Sequence, residues 1–312
     1  MAQTGSPTLF VTGASGFLGR HVCRVAAQQG YHVTGIGHGD WPGASRADWG
    51  ISAWHQADVT AQTLVQLKQT PDVIVHCAGS GSAAPAMRDP GRDFARSVVS
   101  TVEVLEFMRV HAPESTLVFP SSGAVYGVPS HLPVSETDVI APVNPYGVHK
   151  RVAETMVESY GHHFGLRAGI VRIFSLYGTA LRKQLLWDAC VKAMNGNRTF
   201  TGTGTETRDW VAVEDTAALM LLAAHHASPN TPAVNAATGI ESSMSDVLAH
   251  LFAALGVSER PEFTGERRPG DLVRYAGDPS RALEWGWTPA RDWRDGVADY
   301  ARWFLECEQA TN

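Results

Sequence analysis

Short apolar runs alternate with longer amphipathic stretches up to about residue 175, the rhythm of βαβ units built around a parallel sheet. The runs are Leu9 to Thr12, His32 to Ile36, Ser52 to Gln56, Val73 to Cys77, Leu117 to Pro120 and Arg167 to Ile173. Six parallel strands suffice for a doubly wound sheet. Between them, Leu18 to Gln29 predicts a helix closed by Gly30, and Asp93 to His111 predicts one long helix starting after Pro90-Gly91. Asn144-Pro145 reads as an N-cap with proline at the first helical position, which puts Tyr146 in a first turn.

After residue 175 the rhythm breaks. Lys183 to Asn195 predicts a helix, Gly202 to Thr205 a loop, Trp210 to Val213 a strand, and Asp215 to His225 a helix returning to the sheet. The tail from about Ser242, with its tryptophans at 285, 287 and 293, predicts a small capping lobe. The fold class is therefore α/β, a Rossmann-type doubly wound parallel sheet with a smaller C-terminal substrate-binding lobe. Residues 1–175 form the dinucleotide-binding domain, 210–240 return to it, and 176–209 with 241–312 make the lobe.

Composition narrows the setting. The chain has 312 residues, 44% of them hydrophobic and 18% charged, with no apolar run near the roughly 20 residues of a membrane span. Four dispersed cysteines and no recognisable secretion signal point to a reducing, cytoplasmic environment. A net charge of −6 gives no reason to bind nucleic acid, and the thirteen scattered histidines define no metal site.

Gly13, Gly16 and Gly19 recur every three residues between the first strand and the first helix, where backbone must approach a pyrophosphate without Cβ interference. Ser15, Phe17 and Leu18 complete this turn. Asp58-Val59, after the third strand, is placed to meet an adenine, while Ala78-Gly79, after the fourth, passes the middle of a dinucleotide; Ser97 is a further cofactor candidate. No acidic residue ends the second strand at Gly37-His38 to bind a ribose 2′-hydroxyl. That leaves room for a 2′-phosphate beside His38 or Arg46, with Asp40 as the carboxylate still in reach. The cofactor expected is NAD(P)(H), with NADP(H) slightly favoured.

Tyr146 and Lys150 are four residues apart and share a helix face. A phenol with an ordinary pKa of about 10 needs such an ammonium to exchange protons near neutral pH. Ser122, at the end of the fifth strand, supplies a hydroxyl for the substrate oxygen.

With these motifs in place, the chain resembles an extended short-chain dehydrogenase/reductase of the nucleotide-sugar epimerase/dehydratase type. The resemblance is carried by Thr12 to Gly19, Ser121-Ser122 with Val125-Tyr126-Gly127, Pro145 to Lys150, Arg172 to Gly178, Arg208-Asp209-Trp210 with Val213, and Arg268 to Asp271. It implies a catalytic triad of Ser122, Tyr146 and Lys150. It further implies a nucleotide-sugar diphosphate held by Arg208 and Arg268, with Ser175 and Asp271 as other substrate contacts, and a homodimer formed through the helices Asp93 to His111 and Pro145 to Phe164.

Departures from the family pattern narrow the activity. Dehydratases of this type carry an acidic pair where this chain has Gly123-Ala124, and the related decarboxylases also carry an acid in this loop. Family epimerases typically show Asp at the position of Gly37 and Asn at that of Ser175. These differences favour a reductase of a nucleotide-linked 4-keto-6-deoxy sugar, with 4-epimerisation of a nucleotide sugar as the alternative. A non-catalytic dinucleotide-sensing scaffold is the third reading, and retention of both Tyr146 and Lys150 argues against it.

Overall fold

The computed structural model describes residues 5–39, 41, 46–266 and 273–309. Its centre is a seven-stranded parallel sheet. The strands are β1 (Thr8–Thr12), β2 (His32–Gly37), β3 (Ala53–Gln56), β4 (Val73–His76), β5 (Thr116–Ser122), β6 (Arg167–Ile173) and a seventh, Ala233–Ala236, which adds an edge strand beyond the six predicted. The spatial order is Ala233–Ala236, β6, β5, β4, β1, β2, β3. The chain reverses its winding between β1 and β4, so a crevice opens at the carboxyl ends of these two strands.

The first half of the chain places α1 (Phe17–Gln28), α2 (Ala61–Gln66), α3 (Ala83–Arg88), α4 (Pro90–Phe94), α5 (Ser100–His111) and α6 (Pro145–Phe164). One core packs α1 and the helix Val213–His226 on one sheet face, around Val22, Val33, Val75, Met220 and Leu221. The other packs α5 and α6 on the opposite face, around Ile74, Phe107, Phe119 and Val157. A further cluster, with Leu186, Phe200, Trp210, Leu248 and Tyr300, belongs to the helices Gln184–Met194, Met244–Ala254 and Trp293–Gln309.

Two local differences from the sequence pattern have physical causes. The helix expected over Asp93 to His111 is interrupted by five residues of π-helix, Ala95–Val99. There Ser100 Oγ donates to the Arg96 carbonyl at 2.5 Å and Thr101 Oγ1 to the Ser97 carbonyl at 2.6 Å, side-chain bonds that compete with the regular ladder. Strand β5 runs through Pro120 to Ser122. Its pairing with β4 ends at Val118, so a proline beyond that point costs no ladder bond on that side.

Helix α6 begins and ends where its sequence dictates. The Asn144 side chain accepts from the Gly147 amide at 2.9 Å, Pro145 takes the first position, and Gly165 terminates the helix at φ +72°. Gly147 also lets α6 press on the turn after β5: a Cβ there would lie 2.6 Å from the Ala124 carbonyl oxygen. Among the described residues, no helix is long and apolar enough to cross a membrane.

Candidate active site

A cleft of about 700 Å³ opens at the carboxyl edge of the sheet. Its floor is the glycine turn. A Cβ on Gly13 would meet the Ala78 amide at 2.6 Å, and one on Gly19 would meet the Gly13 carbonyl oxygen at 2.3 Å. Only glycine fits this close approach, and it keeps the first amides of α1 open to a ligand. The helix begins at Gly16 with no side-chain cap, so those amides and the positive end of the helix suit a pyrophosphate. Ser121 Oγ, buried and without a hydrogen-bond partner, also lines the cleft. This cradle fits a dinucleotide.

Ser122, Tyr146 and Lys150 all line the cleft. Lys150 Nζ donates to the Pro120 carbonyl at 2.9 Å, on the side of β5 that β4 has vacated, and lies 5.0 Å from the centre of the Phe119 ring. Burial pulls Lys150 down to about 8, opposed by the thiol of Cys77 and the carboxylates of Asp93 and Glu154. Burial pushes the Tyr146 phenol up to about 12, offset in part by the Ser122 hydroxyl and reinforced by Asp93. The ligand-free state at neutral pH therefore holds a phenol and an ammonium, each displaced from its ordinary value by the same desolvation.

The ion pair behind α6 fixes its orientation. Arg172 on β6 donates to both Glu154 oxygens, at 3.1 and 3.0 Å, and to the Tyr126 hydroxyl at 3.0 Å. Tyr126 in turn donates to Asn235 Oδ1 at 2.7 Å. Glu154 continues the face carrying Tyr146 and Lys150, so this buried network ties the helix to β6 and to the turn after Ser122.

The other predicted residues divide. Gly13, Gly16, Phe17, Leu18, Gly19, Gly79, Ser175 and Arg208 line the cleft with the three above. Ser15 stands behind the turn, its carbonyl accepting from Arg20 at 2.6 Å, and Ala78 packs against Gly13. Ser97 is buried and its Oγ accepts from the Ser80 amide at 3.4 Å. Val59 packs into the core beneath the sheet. His38 and Asp58 sit exposed at the ends of β2 and β3, with His38 Nδ1 3.1 Å from Asp58 Oδ1. Gly37 lies under Trp54, whose Cη2 would be 3.0 Å from a Cβ there. Arg268, Asp271 and Asp40 lie outside the described residues.

Cys77, at the strand end expected to pass the middle of a dinucleotide, lines the cleft, whereas sequence reasoning missed Tyr275 and Gln184, which also line it, and the contact between Asp93 and His149. Tyr275 reaches the site across 152 residues, a juxtaposition no spacing rule encodes. His149 lies inside the Tyr-x-x-x-Lys window, and nothing in the local spacing points to its partner Asp93.

Residues 9–237 match the model of the NAD dependent epimerase/dehydratase family, and the chain belongs to that family. It is 30% identical to a UDP-glucose 4-epimerase of Mycolicibacterium smegmatis, over 96% of this chain and 99% of the relative. Among solved structures it is similar to the UDP-glucose 4-epimerase of Thermotoga maritima with UDP-glucose, at 23% identity and TM-score 0.87, covering 96% of this chain and 99% of that one. It is also similar to a variant of the UDP-glucuronic acid 4-epimerase of Bacillus cereus, solved with a fluorinated UDP-sugar and NAD, at 24% identity and TM-score 0.86, covering 96% and 99%.

Proposed function

We propose that this protein is a nucleotide-sugar 4-epimerase that works with NAD on a UDP-linked sugar. The observation that carries the reading is the placement of Ser122, Tyr146 and Lys150 along one cleft with the glycine turn, in a chain matched over nearly its whole length by a UDP-glucose 4-epimerase. The glycine turn would hold NAD, which would supply the hydride acceptor and donor at C4, with return to the opposite face of that carbon giving the inversion. Ser122 holds the C4 oxygen by hydrogen bonding, and Tyr146 takes the proton of the C4 hydroxyl and later returns it. Lys150, one turn further along the same helix face, supplies an ammonium that favours the ionised phenol against the burial that otherwise holds the proton on. Arg208 supplies a guanidinium for the diphosphate, and the segments 176–209 and 241–312 form the substrate lobe.

The leaning toward one-way reduction gives way on two counts. It rested on Gly37 and Ser175, and neither sets the direction of the proton relay: Gly37 makes room for the Trp54 ring, and Ser175 lines the cleft at the start of a short strand. The curated relatives matched over most of their length carry 4-epimerase names. NAD is preferred to NADP(H) for a related reason. The imidazole of His38 faces Asp58, whose negative charge would repel a 2′-phosphate at that edge. The turn after Ser122 presents glycine and alanine, so it offers no carboxylate to promote loss of water or carbon dioxide.

The test is incubation with UDP-glucose, UDP-galactose and their N-acetylated and uronic acid counterparts without added reductant, with products resolved by NMR. Inversion at C4 supports the reading. Failure to invert any of them, together with oxidation of NADPH by a nucleotide 4-ketosugar, replaces it with the reductase.

A further inference from the structure

Beside the main cleft, and sharing Ser80 with it, a smaller one of about 180 Å³ opens along α3 and α4. Three arginines line it, Arg88, Arg92 and Arg96, spaced four residues apart across the end of α3, α4 and the π-helical segment. All three are exposed, and among the described residues none of their guanidiniums has a hydrogen bond or an ion pair. Two carboxylates share the cleft. Asp89 is occupied in capping α4, its Oδ1 accepting from the Arg92 amide at 3.0 Å.

Exposed arginines alone mark no site, but Asp93 is a second and independent sign of one. It is 3% exposed, and its Oδ2 lies 2.5 Å from Nδ1 of His149 on α6. Its Oδ1 is buried with no hydrogen-bond partner. An acceptor left in that state is costly and calls for a donor that the protein does not provide. A ligand for this cleft therefore needs negative charge to meet three guanidiniums and a hydrogen of its own to give to Asp93. Cations fail the first requirement, and fully deprotonated anions fail the second.

We propose that this cleft binds a protonated oxyanion, hydrogen phosphate or the phosphate of a small monoester, held by Arg88, Arg92 and Arg96 and selected by Asp93. Guanidinium forks match phosphate oxygens, and at neutral pH inorganic phosphate is an anion that still carries a P–OH group. Sulfate has the same shape and no such hydrogen, so one of its oxygens would face the carboxylate with nothing between them. A site built around a hydrogen bond rejects the analogue that cannot make it. The cleft is smaller than the roughly 300 Å³ at which pockets for larger ligands begin, which favours the ion or a short monoester over a nucleotide. The site is additional to the epimerase reading and does not rest on it.

The test is an amide-detected NMR titration of the full chain at pH 7 and constant ionic strength with phosphate, glycerol phosphate and sulfate. NAD and UDP are present to cover the phosphate sites of the main cleft, and the readout is the Arg88 and Arg92 amides, which lie off that cleft. Phosphate should give a saturable shift, with sulfate at least about tenfold weaker. Tighter binding of glycerol phosphate than of the free ion assigns the site to a monoester, and the reverse order assigns it to inorganic phosphate. Arg92→Gln should weaken phosphate about tenfold. Asp93→Asn, whose amide can donate, should bring sulfate level with phosphate. If that variant does not fold, arsenate decides in the wild type: it keeps a proton at pH 7 and should bind like phosphate. Equal binding of sulfate and phosphate by the wild type, a shift that Arg92→Gln leaves unchanged, or no saturable shift would overturn the proposal. Failure to bind NAD would count against the epimerase reading and leave these comparisons intact.

Discussion

Tyr275 donates its hydroxyl to the Gly123 carbonyl oxygen, and its ring occupies the space that a side chain on residue 123 would need. A Cβ there would come within 2.9 Å of Tyr275 Cε1 and 3.0 Å of its hydroxyl oxygen. The absence of an acid directly after Ser122 is therefore built into the packing of the cleft wall. Gly123→Asp should displace Tyr275 and bury an unpaired carboxylate, costing about 1–3 kcal/mol. Thermal melting should show the loss. Assay with UDP-glucose should show no dehydration, because the added acid disrupts the wall that would have to aim it.

Lys150 is held at a cost. Its folded pKa of about 8 lies below the ordinary 10.5, so the unfolded chain binds more protons between those values and the cost is fully present below about pH 8. Lys150→Met should end turnover while stabilising the ligand-free protein at pH 7 by about 2 kcal/mol. This is roughly 3 kcal/mol of relieved desolvation less about 1 for the lost bond to Pro120. The advantage over wild type should shrink as pH rises from 8 to 10. Denaturant unfolding across that range checks both the sign and the window.

Glu154 and Arg172 are buried against one another, at 0% and 3% exposure. Removing one partner leaves the other charge uncompensated, so Glu154→Ala should cost about 3–5 kcal/mol. Because Glu154 shares the face of Tyr146 and Lys150, any protein that still folds should lose kcat more than it loses cofactor affinity. Equal losses of both would separate the network from the alignment of the relay.

His21 and His76 are buried, and desolvation pulls them down to about 4 and about 3. Their folded values lie below the ordinary 6.5, so the unfolded chain takes up protons first as pH falls, and stability is lost from about 6.5 down to about 4 for His21 and about 3 for His76. Each histidine contributes up to about 1.4 kcal/mol per pH unit inside its window. The melting temperature should drop steeply below pH 6.5. His76→Gln, keeping a polar partner for Thr12 Oγ1, which lies 2.7 Å from His76 Nδ1, should flatten that slope.

Legibility in the sequence follows the range of the interaction that decides each element. Helix α6 could be bounded from Asn144, Pro145 and Gly165 because capping is local. The glycine turn was legible for the same reason. Strand β5 was read as ending at Pro120, and only the early end of β4 explains why it runs to Ser122. The break at Ala95–Val99 depends on Ser100 and Thr101 bonding backward, which the amphipathic pattern does not register. Gly37 looked like a missing acid in sequence, whereas in the fold it is the clearance for an indole from the next strand. Tyr275 and the Asp93–His149 contact depend on tertiary packing and left no periodic trace.

In the proposed reaction Tyr146, Ser122 and Lys150 serve removal and return of one hydrogen at a single sugar carbon. Proton NMR of UDP-glucose incubated with the enzyme in deuterium oxide tests it most directly, with Tyr146→Phe as control. Inversion at C4 is expected with the original carbon-bound hydrogen retained, falling about a thousandfold in the phenylalanine variant, which should still bind NAD. Deuterium at C4 of the product, or full activity in the variant, would contradict it.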